Sequence, residues 1–379
     1  NTCSVTENAN KKAKRFINKL YKKSPSSKII VTGCYAQLDP KGLSKIPGVS
    51  CVVSAENKFN VENYINFENN QDKIADINQI KDFNISYSLN ERTRAFLKIQ
   101  DGCDYTCSYC TIPMARGRSR SASISKTLLK INEIVNRGIN EIVLCGINVG
   151  DYGIGNNESL LDLLKNLDKI GNLKRYRISS IEPNLLNKDI VKFISNSTKA
   201  MPHLHIPLQS GSDEMLRAMK RRYNVDDYKS LINFINKSIP NICIGVDVIV
   251  GHPNESNSLF NETYNFLDKL DISYLHVFSY SDRKNTFSSS MNSKVSIEDK
   301  NLRRKKLQML SNEKYKKFIN KNLSTVKQVL FENYNEGFID GLSDNYIRVF
   351  VEGDAKLVNS IKEVQITEHN INTYGKIIN

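Results

Sequence analysis

The sequence contains no run of eighteen apolar residues, so it offers no segment able to span a bilayer. No secretory signal is visible. No repeat of fixed period runs along the chain. It also lacks an initiator methionine and opens at Asn1 inside a motif, "NTCSV", which predicts a piece of a longer protein. Carboxylates are in short supply: 40 acidic residues face 54 basic ones, for a net charge of +14. That excess admits a polyanionic partner, most often nucleic acid, and equally admits mere solubility. A disulfide framework is excluded as the use of the eight cysteines, because such frameworks belong to small secreted chains.

What is present is 379 residues, 40% hydrophobic and 25% charged, too long for one small core. Two or three domains are expected. The first segment reads α/β. In "ENANKKAKRFINKLYKK", Ala9, Ala13, Phe16, Ile17, Leu20 and Tyr21 share one helical face. Ser4 and Glu7 are placed for a capping box. The short strand "KIIVTG" ends directly before Cys34. A polar, Asn-rich stretch follows and reads as a linker.

Strand and helix patterns then alternate six times. The strands are "AFLKIQ", "EIVLCG", "KRYRISS", "LHIPLQ", "CIGVDVIVG" and "YLHVFSY". Repeated βα units predict a parallel sheet, and six are fewer than the eight of a full barrel. A long basic helix is expected from about Ile297 to Asn322, followed by short strands that read as a small β-barrel. The boundaries are 1–66, 67–90 (linker), 91–322 and 323–379.

"GCDYTCSYC" sets Cys103, Cys107 and Cys110 within eight residues, directly after the first of the six strands. Structural zinc wants four ligands, and the next Cys or His are as distant as Cys145 and His203. The other solution is a [4Fe–4S] cluster on three thiolates, whose fourth iron stays open to a small chelating ligand. Cys51 and Cys243 sit in apolar strand-like runs and read as core, and Cys145 reads similarly, one residue before a strand end. Glycine and polar residues gather after successive strands, in "CGINVGDYG", "SSIEP", "LQSGS" and "VGHPNES". Turns favour such residues anyway, but here they fall in register with strand ends, where cofactors bind in such folds.

The CxxxCxxC spacing resembles that of the radical S-adenosylmethionine (SAM) superfamily. "NTCSVTENA", "VTGCYAQ", "GCDYTCSYCTIPMARGRSRS", "GINVGDYG", "RISSIEP", "HLHIPLQSGSDEMLRAMKRRY", "GVDVIVGHPNES" and "HVFSYSDRKNT" resemble, in order, its methylthiotransferase family. The wording is nearest the branch that modifies N6-threonylcarbamoyladenosine in tRNA. The resemblance implies a partial (β/α)6 barrel flanked by an N-terminal α/β domain and a C-terminal RNA-binding TRAM β-barrel. It implies replacement of the adenine C2 hydrogen by a methylthio group, with one SAM giving the methyl and another a 5′-deoxyadenosyl radical.

It implies two [4Fe–4S] clusters. Cys103, Cys107 and Cys110 would hold the SAM cluster. Cys3 and Cys34 map onto two of three auxiliary ligands, the first being expected upstream of Asn1, so that this cluster is incomplete here. Asn148, Ser180, Glu182, Gln209 and Ser210 are candidate SAM contacts. Arg116, Arg118 and Arg120 are candidates for tRNA phosphate or a substrate carboxylate. The implied partners are the anticodon stem-loop of tRNA and an electron donor such as flavodoxin or ferredoxin, in the cytoplasm, with neither membrane nor DNA.

The sequence departs from that branch at His252 and Asn254, where Phe and Gly are usual, at Ser279 for Pro, and at Asn285 for Gly. In "YIRVFV", Ile347, Val349 and Val351 are expected to face a core, leaving Tyr346, Arg348 and Phe350 for RNA. Two other readings stand beside this one. One is a zinc-containing, non-catalytic RNA-binding protein; the other is a sister enzyme acting on isopentenyladenosine or on ribosomal protein.

Overall fold

Thr6, not Ser4, caps the first helix: its hydroxyl accepts from the Ala9 amide, and α1 runs Glu7–Lys23. Ser4 is instead buried and accepts from Arg283 at 2.6 Å. The computed structural model describes residues 1–64, 74, 76–80, 82–88 and 93–378. They fall into two units, each described by itself.

The first unit comprises Asn1–Asp82, Asp101–Ser119 and Tyr280–Lys294. Its centre is a parallel pair, β1 (Ile29–Val31) and β2 (Val49–Val52). The short helices α2 (Cys34–Leu38) and α3 (Pro40–Ser44) lie between them in sequence. Ile17 of α1 packs with Val31, Leu43 and Val52. The buried face of α1 is narrower than the periodicity predicts. Phe16 is 62% exposed, and with Leu20 it lines an open groove beside Cys3 and Ile30. Cys51 is buried in β2, as expected of a core residue. The same unit contains the loop of three cysteines and, after it, α4 (Ile112–Arg116). Parts of the expected linker, 67–90, lie outside the described residues; the described part includes a short helical turn, Ile77–Gln79, and a strand, Ser86–Ser88.

The second unit comprises Phe83–Gln100, Arg120–Ser279 and Val295–Asn379. Its strands follow the six predicted. β3 (Ser86–Ser88) pairs antiparallel with β4 (Arg94–Lys98). The two-residue strands β5 (Gln100–Asp101) and β6 (Arg120–Ser121) stand at the two ends of the cysteine loop. Then follow α5 (Ile124–Asn136), β7 (Glu141–Cys145), α6 (Leu160–Asp168), β8 (Arg175–Ile178), α7 (Lys188–Asn196) and β9 (His203–His205). After these come α8 (Asp213–Ala218), α9 (Val225–Ser238), β10 (Cys243–Val250), α10 (Asn257–Lys269), β11 (Tyr274–Ser279) and α11 (Ile297–Asn322).

β4, β7 and β8 are parallel neighbours, and so are β9, β10 and β11. Isolated parallel bridges, Tyr176↔Ala200 and Ser180↔His205, link the two sets edge to edge. One face of every strand is apolar and packs under the helices: Ala95 and Leu97, Ile142 and Leu144, Tyr176 and Ile178, Val246 and Val248. The alternation therefore turns the polar residues of these strands to the other face.

α11 leads into a closed five-stranded barrel in the order β12-β13-β14-β16-β15. The strands are β12 (Val326–Asn335), β13 (Phe338–Ser343), β14 (Arg348–Glu352), β15 (Ile361–His369) and β16 (Thr373–Ile377). Ile347, Val349 and Val351 face its core, as predicted. β16 was not foreseen; it closes the sheet by pairing parallel with β14 and antiparallel with β15. Arg175 and Arg177 of β8 reach this barrel directly. Arg175 donates to the Leu342 carbonyl at 3.0 Å, and Arg177 to those of Ser343 and Asp344 at 2.6 and 2.7 Å. Among the described residues no helix is long and apolar enough to cross a membrane.

Candidate active site

The loop that leaves β4 and β5 cannot begin with any residue but glycine. Gly102 sits at φ +75, and a Cβ there would lie 1.9 Å from the Arg118 carbonyl oxygen. That close approach pins the loop's two ends together, and the Cys103 amide donates to the Gly117 carbonyl at 3.0 Å. Farther along, Ser108 is buried and bonded to Ser288 through its hydroxyl at 2.8 Å. Cys103, Cys107 and Cys110 are all half-buried and free of disulfides. The Tyr105 amide donates to Cys103 Sγ and the Ile112 amide to Cys110 Sγ, each at 3.4 Å.

Amide donors toward sulfur suit thiolates carrying the charge of a cluster. Three soft sulfur donors on one loop suit iron–sulfur chemistry rather than a hard cation. Among the described residues, no three His, Cys, Asp or Glu side chains already surround one point, so the thiols share a loop without forming a closed cage.

In the same unit, an isolated parallel bridge joins Thr2 to Gly33. Thr2 donates its amide to the Thr32 carbonyl at 2.7 Å. Gly33 is at φ +104, and a Cβ on it would collide with the Thr2 carbonyl at 2.4 Å. Residues 31 apart in sequence thus run side by side, and the next residues along are Cys3 and Cys34. Cys3 is exposed and Cys34 buried.

Arg116 is not a free cation for RNA. Its Nε donates to Cys34 Sγ at 3.0 Å, and its Nη1 pairs with Asp101 at 3.3 Å. Burial works against its charge, but Asp101 and Cys34 outweigh it and hold the guanidinium above its ordinary pKa. Arg118 is exposed and Arg120 half-buried.

The strand ends belong to the second unit. After β7, Gln100 Oε1 accepts from the amides of Ile147 and Asn148 at 2.9 and 2.8 Å. Asn148 is buried and donates to Asp151 at 2.8 Å, while its Oδ1 has no partner. The buried hydroxyls of Ser179 and Ser212 are likewise unpartnered. Unsatisfied polar atoms at the C-terminal ends of parallel strands are what a polar cofactor would satisfy.

Ser180 bridges to His205. Glu182 is paired with Arg221, whose Nε also donates to the Tyr223 hydroxyl. Burial raises the Glu182 pKa, and Arg221 opposes it. Gln209 is nearly buried in a left-handed conformation, φ 71, with its amide on the Asp247 carbonyl at 2.8 Å. Ser210 is fully buried and bonded to Thr263 at 3.0 Å, which makes it part of the turn.

Sequence reasoning missed an imidazole–carboxylate pair on the polar face. His205 Nε2 lies 2.8 Å from Asp247, and the exposed His276 stacks on His205 with centroids 5.2 Å apart. Burial, then His205, lowers the His276 pKa, and Asp247 opposes. The signal was in the alternation: "HLH", "VDV" and "LHV" place these side chains on one face of β9, β10 and β11. Cys145 shares that polar face rather than the core, and burial pushes its thiol up to about 11. His252 is fully buried, with Nδ1 2.9 Å from the Pro253 carbonyl, and burial holds its pKa down to about 4.

Comparison with known proteins gives two matching families. Residues 97–267 match the Radical SAM superfamily. Residues 1–54 match Uncharacterized protein family UPF0004. The chain is 35% identical over 97% of its length to threonylcarbamoyladenosine tRNA methylthiotransferase MtaB of Bacillus subtilis, covering 84% of that protein. It is 34% identical to MtaB of Aquifex aeolicus, over 93% of this chain and 87% of that one. With the tRNA-2-methylthio-N(6)-dimethylallyladenosine synthase of Endomicrobium trichonymphae, identity is 30%, over all of this chain and 90% of that protein.

Proposed function

The chain belongs to the methylthiotransferase family of radical SAM proteins, and on that premise we propose that it converts N6-threonylcarbamoyladenosine, 3′ of the tRNA anticodon, to its 2-methylthio derivative. It is an enzyme that transfers a sulfur-containing group, with a [4Fe–4S] cluster and SAM as cofactors. The observation that carries the reading is the set of three cysteines outside any disulfide, Cys103, Cys107 and Cys110, on the loop leaving the first parallel strand of a partial barrel. The threonylcarbamoyl branch is favoured because relatives named for it are more similar than the one named for dimethylallyladenosine.

The adenine C2 hydrogen is neither acidic nor a leaving group. When bound, the cluster and SAM supply the carbon-centred radical that such a position requires. The protein's part is placement. Cys103, Cys107 and Cys110 hold the cluster, and the amides of Tyr105 and Ile112 orient two of the sulfurs. Asn148, Ser180, Glu182 and Gln209 serve the polar groups of SAM, with the unpartnered Asn148 Oδ1 as acceptor. Ser210 acts through the turn it ties to Thr263. Cys3 and Cys34, on adjacent backbone, serve an auxiliary cluster. The anticodon stem-loop of tRNA is the partner, a flavodoxin- or ferredoxin-type donor the electron source, and the cytoplasm the place of work.

Nucleoside mass spectrometry of tRNA tests the reading directly. A strain lacking the gene should lose the 2-methylthio derivative of threonylcarbamoyladenosine and regain it with the gene restored. Loss of 2-methylthio-isopentenyladenosine instead would move the protein to the sister branch.

A further inference from the structure

We infer that Arg116 is a positioning residue for the auxiliary-cluster sulfur of Cys34 and ties that sulfur to the root of the SAM-cluster loop. The inference rests on the assignment of Cys34 as a cluster ligand made above. Three observations carry it. The Arg116 Nε donates to Cys34 Sγ at 3.0 Å. Its Nη1 is held at 3.3 Å by Asp101, whose own side chain is 5% exposed. Asp101 immediately precedes Gly102 and Cys103, and its carboxylate also accepts from the Gly102 amide at 3.0 Å.

One guanidinium therefore spans two sulfur-bearing segments. Its planar fork fixes both contacts at once, which an ammonium on a flexible stem cannot do. A hydrogen bond donated to a ligating sulfur does two things. It orients the side chain before the cluster assembles, and it favours the reduced cluster, which carries one more negative charge. That use takes two of the donors that the phosphate contact implied by its motif would need.

The test uses the full-length protein with Cys103, Cys107 and Cys110 all changed to Ala, so that only the auxiliary cluster assembles. Iron and sulfide content and the midpoint potential from an EPR-monitored titration are measured, with circular dichroism to confirm folding. Cys34→Ala in this background should lose the cluster. If it retains a full cluster, the ligand assignment itself fails, whatever Arg116 does. With that control passed, Arg116→Gln should either lose iron while folded or hold a cluster of more negative potential. Arg116→Lys should fall between it and the parent. Asp101→Asn unanchors the fork but also removes a negative charge, so it is read by iron content, which should fall while the protein stays folded, and it serves as the readout should Arg116→Gln not fold. Parental iron content and potential in Arg116→Lys, together with parental iron content in Asp101→Asn, would overturn the proposal.

Discussion

Arg177 and Glu141 are joined by a 3.0 Å hydrogen bond in which neither side chain reaches solvent, at 2% and 0% exposure. Arg175 meets the same carboxylate at 2.5 Å and Arg94 at 3.6 Å. Burial alone would raise the Glu141 pKa, but Arg177, Arg175 and Arg94 outweigh it and keep the carboxylate ionised. The cluster stands between the parallel strands and the small barrel, so its charge balance is a condition of their packing.

Replacing Glu141 by Ala leaves two buried guanidiniums without their counter-ion. The expected cost is about 3–5 kcal/mol, the usual result of removing one partner from a buried pair. Denaturant unfolding should show a lower midpoint. A loss below about 1 kcal/mol would show that the carbonyls of Leu342–Asp344 suffice to hold both arginines.

His252 gives a pH signature. Its folded pKa is about 4, against about 6.5 for an unfolded histidine. Below about pH 6.5 the unfolded chain takes up a proton that the folded one refuses, so stability falls until about pH 4 and is flat beyond. The effect at pH 5 is about 2 kcal/mol. His252→Phe should lose less stability than the parent between pH 7 and pH 5 in parallel thermal melts. Equal losses would remove His252 as the source.

Asn254 and Asn285 occupy left-handed conformations, at φ 69 and φ 67. These are the two positions where glycine is usual in the branch. Asparagine tolerates that region better than other side chains do, so both departures keep the backbone path. Asn254→Gly should be neutral or stabilising, and Asn254→Ala worse than it by about 1 kcal/mol in chemical denaturation. Equal stabilities would mean the loop relaxes out of that conformation.

Cys107→Ala should fold and bind tRNA yet release no 5′-deoxyadenosine from SAM under reducing conditions. Production at the parental rate would sink the cluster assignment.

The face of the small barrel that the sequence offers to RNA needs revision. Tyr346 is stacked on His203 at 4.0 Å and lies under Arg177, so it is a packing residue. Arg348 is paired with Glu332 at 2.7 Å and with Asp340. Phe350 remains, grouped with Phe338 and Tyr374. Tyr374→Ala should weaken tRNA binding about tenfold if a base stacks there, whereas Arg348→Ala should change it little. Filter binding at fixed salt compares them, and the reverse order would restore Arg348 as the contact.

Much of this was legible in the sequence because periodicity records which face is buried. α1 and α11 begin and end where their patterns do, and all six parallel strands were read. What the pattern could not carry was pairing across long separations. "KRYRISS" shows two arginines on one face, but not that Glu141 and the main chain of β13 await them. Likewise "ARGRSRS" looks basic and exposed, while Arg116 is spent on Asp101 and Cys34. Thr373–Ile377 was missed because a five-residue strand containing Gly375 has little alternation of its own.

The arginine contacts to the small barrel end on carbonyl oxygens, which every amino acid possesses. Their recognition is indifferent to the side chains of Leu342–Asp344. The turn's side chains are held for the barrel's own sake: Leu342 is buried, and the buried Ser343 hydroxyl accepts from the Ile347 amide. Elsewhere the joint does read side chains, through Arg94 on Glu332 and His203 on Tyr346. It is a fitting of two kinds, one half accepting any main chain that follows this course and the other keyed to this barrel alone.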